Sequence, residues 1–72
     1  MSEIKIGDHI EVTGNTQDYI LKDPSRIYRG EVIGKESGQL LVRLEEPVIV
    51  GGGQFREASV MEAHARIALA KN

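Results

Sequence analysis

Leu40, Val42 and Leu44 alternate with Leu41, Arg43 and Glu45, and Ile4, Ile6, Ile10 and Val12 all fall on even positions with Lys5, His9 and Glu11 between them. A hydrophobic period of two belongs to a strand with one face buried and one face wet. Glycine-containing breaks separate the periodic stretches: Gly7-Asp8, Thr13-Gly14-Asn15-Thr16, Ser37-Gly38 and Gly51-Gly52-Gly53. Short strands punctuated in this way read as an all-β domain, a small barrel or sandwich.

The remaining segments fit that frame. Arg26 to Lys35 has strand character, with Ile27, Tyr28, Val32 and Ile33 as its apolar members. Ser37-Gly38 reads as a tight hairpin turn. Pro47 belongs at a strand start or edge, because it has no N–H to give to a ladder. Val48-Ile49-Val50 and Gln54-Phe55-Arg56 flank the triple glycine as a hairpin with a flexible tip. Gln17 to Ser25 is the least patterned stretch. Its apolar Tyr19-Ile20-Leu21 is read as a short strand or as a loop packed on the barrel, and Asp23-Pro24-Ser25 as a turn.

Two readings compete at the C-terminus. Ser59-Val60-Met61-Glu62 fits a helix capping box, and Ala63 to Lys71 is rich in helix formers, which gives a helix over 60–70. The other reading ends a strand near Val60, makes one helical turn over Met61 to Ala65, and returns as a strand over Arg66 to Leu69. The second is favoured, chiefly by the resemblance described below.

Size and composition narrow the function. The 72 residues allow one domain, over 1–72, which buries only roughly 60% of the surface its unfolded chain exposes. A deep catalytic cleft would consume most of such a core, so a surface binder is expected and an enzyme is not. The chain has 9 Lys+Arg against 11 Asp+Glu, interspersed, for a net charge of -2. Non-specific nucleic-acid binding and attraction to anionic membranes both need excess positive charge. There is no cysteine, hence no disulfide or thiolate metal site, and the core must hold by packing alone, as suits a reducing compartment. The first residues lack the apolar region of a signal peptide, and no apolar run approaches the roughly 20 residues of a membrane span. The expectation is a complete cytoplasmic protein without a cofactor.

The order of features resembles SH3-like barrels. Gly7-Asp8-His9-Ile10-Glu11-Val12 is similar to their "G-D-x-V-x-V" opening, and Arg29-Gly30-Glu31-Val32-Ile33 to their "x-G-x-V" second strand. Leu40-Leu41-Val42-Arg43-Leu44 resembles the "V-x-V" third strand, and Val60 to Ile67 the strand, helical turn and final strand that close such barrels. The resemblance implies about five strands with one short helical turn near the C-terminus. Three groups share the pattern: KOW-type nucleic-acid-binding modules, small accessory subunits of photosynthetic electron-transfer complexes, and plasmid-borne type II dihydrofolate reductases. The accessory subunits' "Y-R-x-x-G-x-V" middle is similar to Ile27 to Val32. KOW modules join their first two strands by a short loop, whereas Gly14 to Ile27 intervene here. The reductases carry a "V-Q-I-Y" strand, and Glu57-Ala58-Ser59-Val60 lacks its Gln and Tyr.

Each candidate site has a bland alternative. Gly51-Gly52-Gly53 lacks the Lys-Ser/Thr of a phosphate loop and reads as a hairpin tip. His9 and His64 read as solvated surface residues, with no metal-ligand spacing around them. The serines and threonines have no nucleophile signature around them. Glu45 and Glu46, adjacent on a strand, point to opposite faces unless the strand is bulged. Arg26, Tyr28 and Arg29 could grip a phosphate and stack a base, and they carry the alternative of a KOW-like nucleic-acid module; the bland reading is a Tyr packed under an Arg stem. With no Trp, 2 Tyr and 1 Phe, an aromatic groove for proline-rich peptides is not expected. The leading expectation is a non-catalytic accessory module that docks on a larger protein assembly through Val48, Ile49, Val50, Phe55 and Arg56. Self-association into a homo-oligomer stays open.

Overall fold

A computed structural model describes residues 3–68. Five strands form one antiparallel sheet: β1 (His9–Thr13), β2 (Ile27–Glu36), β3 (Gln39–Val50), β4 (Gly53–Met61) and β5 (Ala65–Ile67). A 3₁₀ turn at Glu62–His64 separates the last two. The spatial order is β4-β3-β2-β1-β5. The sheet is wrapped over one core as a small barrel-like fold, and the 3₁₀ turn meets the β2–β3 hairpin where the Glu62 amide donates to the Gly38 carbonyl at 2.8 Å.

The period-two stretches supply this core. Ile10 and Val12 of β1, Tyr28 and Val32 of β2, Leu40, Val42, Leu44 and Val48 of β3, and Ala58 and Val60 of β4 are all buried, with Ile4 and Leu21 joining from outside the strands. The hairpins are set by glycine. Glu36 pairs with Gln39 around Ser37-Gly38, and Val50 with Gly53 around Gly51-Gly52. Both residues of each turn have positive φ, +51° and +81° in the first and +56° and +83° in the second. Two-residue turns of this hand match the twist of the strands they join. The triple glycine is thus spent on a turn and a strand start.

Ile6 corrects the reading of the first strand. It is 64% exposed, because the alternation breaks before β1 begins. Lys5 and Asp8 close a local turn: the Asp8 amide donates to the Lys5 carbonyl at 3.0 Å, and the Lys5 amide to Asp8 Oδ2 at 2.9 Å. Gly7 takes φ +99° inside it. Ile27, counted among the apolar members of β2, is also largely exposed.

The helix over 60–70 is not formed within the described residues, and Leu69 and Ala70 lie outside them. β5 instead pairs with β1, Ile10 facing Ile67, Glu11 facing Arg66 and Val12 facing Ala65. Long-range pairing here overrides local helix propensity, which is worth only tenths of a kcal/mol per residue.

Residues 14–26 form an ordered loop. The Asn15 amide donates to the Leu21 carbonyl at 2.8 Å, closing it, and Leu21 plugs the core. Three acceptor side chains organise its turns. Asn15 Oδ1 takes the Gln17 amide, Asp18 Oδ1 takes the amides of Ile20 and Leu21, and Asp23 Oδ1 takes both the amide and the hydroxyl of Ser25. Short acceptor side chains that bond amides two or three residues ahead favour turns over regular structure. Tyr19, by contrast, is 80% exposed at the loop's outer bend.

Candidate functional site

Two sequence-predicted clusters border the same region, where β2 and β3 part company. β2 pairs with β3 from Glu36–Gln39 to Gly30–Leu44 and no further. On its other side β3 pairs with β4, but the register slips between Arg43 and Val48: β3 advances five residues while β4 advances two. Glu45, Glu46 and Pro47 fall in the slipped stretch. Pro47 is therefore accommodated where no ladder needs its missing donor.

Beyond the slip the hairpin resumes strict alternation. Val48 faces Phe55, Ile49 faces Gln54 and Val50 faces Gly53. Val48 is buried and Val50 packs against the core, whereas Ile49 is 73% exposed. Phe55 is half-buried and opposite Val48, so it shares the inner face, while Arg56 is exposed. The five residues expected to form one contact surface thus divide between two faces. Ile49 stands outward with Gln54, Val48 and Val50 fix the hairpin from within, and Phe55 lies half-buried opposite Val48.

Arg26, Tyr28 and Arg29 also separate. Tyr28 is buried. Its hydroxyl oxygen accepts from the Asp23 amide at 3.3 Å, and its ring lies under the Arg26 guanidinium, 4.8 Å from the ring centroid. Arg26 also reaches Glu46 at 3.6 Å. Arg29 points to the opposite face, where its Nε donates to Glu11 Oε2 at 2.8 Å. The arrangement is that of a Tyr packed under an Arg stem.

The outer face of the sheet is a set of cross-strand charge ladders. Glu11 sits between Arg29 of β2 and Arg66 of β5, accepting from Arg66 Nε on Oε1 at 3.1 Å. Hydrogen bonds from Arg29 and then Arg66 hold the Glu11 carboxyl below the usual glutamate range, against the opposing effect of its partial burial. The next ladder runs His9, Glu31, Arg43, Glu57 across four strands, with Arg43 Nη1 3.9 Å from Glu31. Alternating signs leave this face no one-sided charge field.

Sequence reasoning missed the second wall of the hairpin region. A groove runs between the residue 20–28 segment and the last part of β3, lined by Ile20, Lys22, Asp23, Arg26 and Tyr28 on one side and by Val48, Ile49, Val50 and Gly51 on the other. The spacing of Asn15, Asp18 and Asp23 is the signal that this segment is a built loop. A second concavity includes Thr13, Asn15, Asp18, Gln39, Ser59 and His64, with Leu21, Val60 and Met61 beside them. Among the described residues no three His, Asp or Glu side chains come together as metal ligands, and no helix is long and apolar enough to cross a membrane. No protein-family model matches the chain, and no curated protein or solved structure matches it either.

Proposed function

We propose that this chain is a non-catalytic binding module of the SH3-like kind, which docks on a larger protein assembly through the end of the β3–β4 hairpin. The observation that carries this reading is Ile49. A large β-branched side chain stands 73% exposed near the tip of a hairpin, between Val48, which is buried, and Val50, which packs against the core. Its strand neighbours Glu45 and Glu46 are exposed and unladdered on the β2 side. Isolated sheets blunt such edges with charge, and here the blunting stops before the tip. Tyr19, on the loop that borders the same end, adds an exposed ring, at 80%. A cytoplasmic setting suits a chain that holds its core without cysteine.

The test is retention of a partner. Tagged wild-type chain and Ile49→Lys are purified in parallel from the native organism, with Glu36→Lys as a surface control. A partner recovered with wild type and with Glu36→Lys is lost with Ile49→Lys. Equal recovery by all three would move docking elsewhere on the molecule.

The KOW-like reading draws less support from the geometry. Stacking a base needs an open ring face, and the Tyr28 ring is buried under Arg26, while Arg29 is committed to Glu11. A gel shift with random RNA and DNA that weakens steeply with salt would restore it.

A further inference from the structure

Resting on the docking reading, we propose the mode and chemistry of the contact: the partner supplies an extended segment, with an acidic residue beside an apolar one, which adds as a strand to the free edge of β3 at Ile49.

The edge is open because β2 stops pairing at Leu44 while β3 continues to Val50. Val50 and Gly53 flank a two-residue turn, so they form the hydrogen-bonded pair of the hairpin. Pairs alternate in an antiparallel ladder, which turns the N–H and C=O of Ile49 away from β4. Two residues back, Pro47 has no N–H to offer. Ile49 therefore provides the donor and acceptor on which an added strand can register. Main-chain bonds of this kind give affinity, and the flanking side chains give selectivity.

The flanking chemistry is on the opposite wall of the groove. Lys22 and Arg26 line it. Lys22 has no ion-pair partner among the described residues, and Arg26, stacked over the Tyr28 ring, pairs with Glu46 at 3.6 Å, with the Glu46 side chain 80% exposed. The one acid on that wall, Asp23, has Oδ1 committed to the amide and hydroxyl of Ser25 at 3.0 and 2.7 Å. An incoming carboxylate finds two cations there, and it displaces a weakly held glutamate at Arg26. Ile20 and Ile49 take its apolar neighbour.

Two blocked seven-residue peptides test this, one alternating valine with glutamate and one alternating valine with lysine, titrated into the 72-residue chain at low salt and followed by amide NMR. The glutamate peptide binds at least tenfold tighter and slows exchange of the Ile49 amide at least tenfold at saturation. Lys22→Gln with Arg26→Gln removes the preference while the chain still melts cooperatively as a folded protein. Equal affinities, or no binding by either peptide, overturns the proposal. Binding that shifts the Ile49 side chain but leaves its amide exchange unchanged overturns strand addition while leaving the docking surface standing. Partner retention by Ile49→Lys judges the docking reading separately.

Discussion

Arg29 donates from Nε to Glu11 Oε2 at 2.8 Å while Arg66 donates to the other oxygen of the same carboxylate at 3.1 Å, so one glutamate on β1 ties both neighbouring strands to it. The three residues lie directly opposite one another across the sheet. For β5, only three residues long, this clamp supplements a short ladder.

The clamp predicts a sign for acid sensitivity. The Glu11 pKa is depressed in the folded chain, first by the Arg29 hydrogen bond and then by that of Arg66. Its contribution is therefore full above the unfolded-state value, near about 4.3, and is lost as pH falls through the lower folded value. Asp23, depressed by the Ser25 hydroxyl and amide, acts in the same direction. Glu11→Gln should lower the melting temperature at pH 7, and the gap from wild type should narrow as pH falls below about 4. A gap that is constant down to pH 2 would show that the carboxylate charge contributes nothing.

The core prediction concerns Val42, which is 2% exposed and pairs with Val32 on one side and Ala58 on the other. Val42→Ala removes two buried carbons and leaves a void. It should cost about 1–3 kcal/mol, lowering the melting temperature by about 4–8 °C per kcal/mol in a domain of this size. A melt identical to wild type would remove Val42 from the core.

Gly30 has a steric reason to be glycine. A Cβ there would lie 2.4 Å from the Arg43 carbonyl oxygen and 2.5 Å from Val42 Cγ1, where β2 and β3 approach closely. The backbone cannot yield cheaply, so Gly30→Ala should destabilise by at least the about 1–3 kcal/mol typical of overpacking. Gly53→Ala is the control. Its added carbon would meet Phe55 at 3.4 Å, ordinary contact, and should melt close to wild type. If the two variants melt alike, the β2–β3 approach is looser than the geometry implies.

What was legible in the sequence followed from local rules. The alternation at 40–44 and 10–12 gave buried strands because one face of each meets the core, and Ser37-Gly38 gave a turn because its backbone needs positive φ. Ile6 kept the same parity yet lies outside, since a bond from the Lys5 amide to the Asp8 carboxylate ends the pattern there, and period-two counting does not register such a bond. Tyr28 sat between two arginines in sequence but on the opposite face from Arg29, so the cluster existed only in one dimension. The slip at 44–47 left no compositional mark except Pro47. In the run Val48-Ile49-Val50 every residue is apolar, so periodicity could not say which one faces out. Only the register with Gln54 does.

That last point gives the sharpest test of the site. Val48 and Ile49 are adjacent, similar in chemistry and opposite in exposure, at 6% and 73%. A lysine at 48 would force a charge among Tyr28, Val50 and the rest of the core, with no partner placed to receive it, and buried unpaired charge is among the few causes of very large destabilisation. A lysine at 49 extends into solvent opposite Gln54 and should shift stability by no more than about 0.5 kcal/mol, as is usual for surface positions. Val48→Lys should therefore unfold the chain or lower its melting temperature by well over ten degrees, and Ile49→Lys should melt as wild type while losing the partner. Thermal melts of the two variants decide the matter. If Ile49→Lys unfolds the protein, the residue is core and the docking surface falls with it. If Val48→Lys is tolerated, the hairpin is not anchored, and the argument that Ile49 is held outward by its neighbours fails.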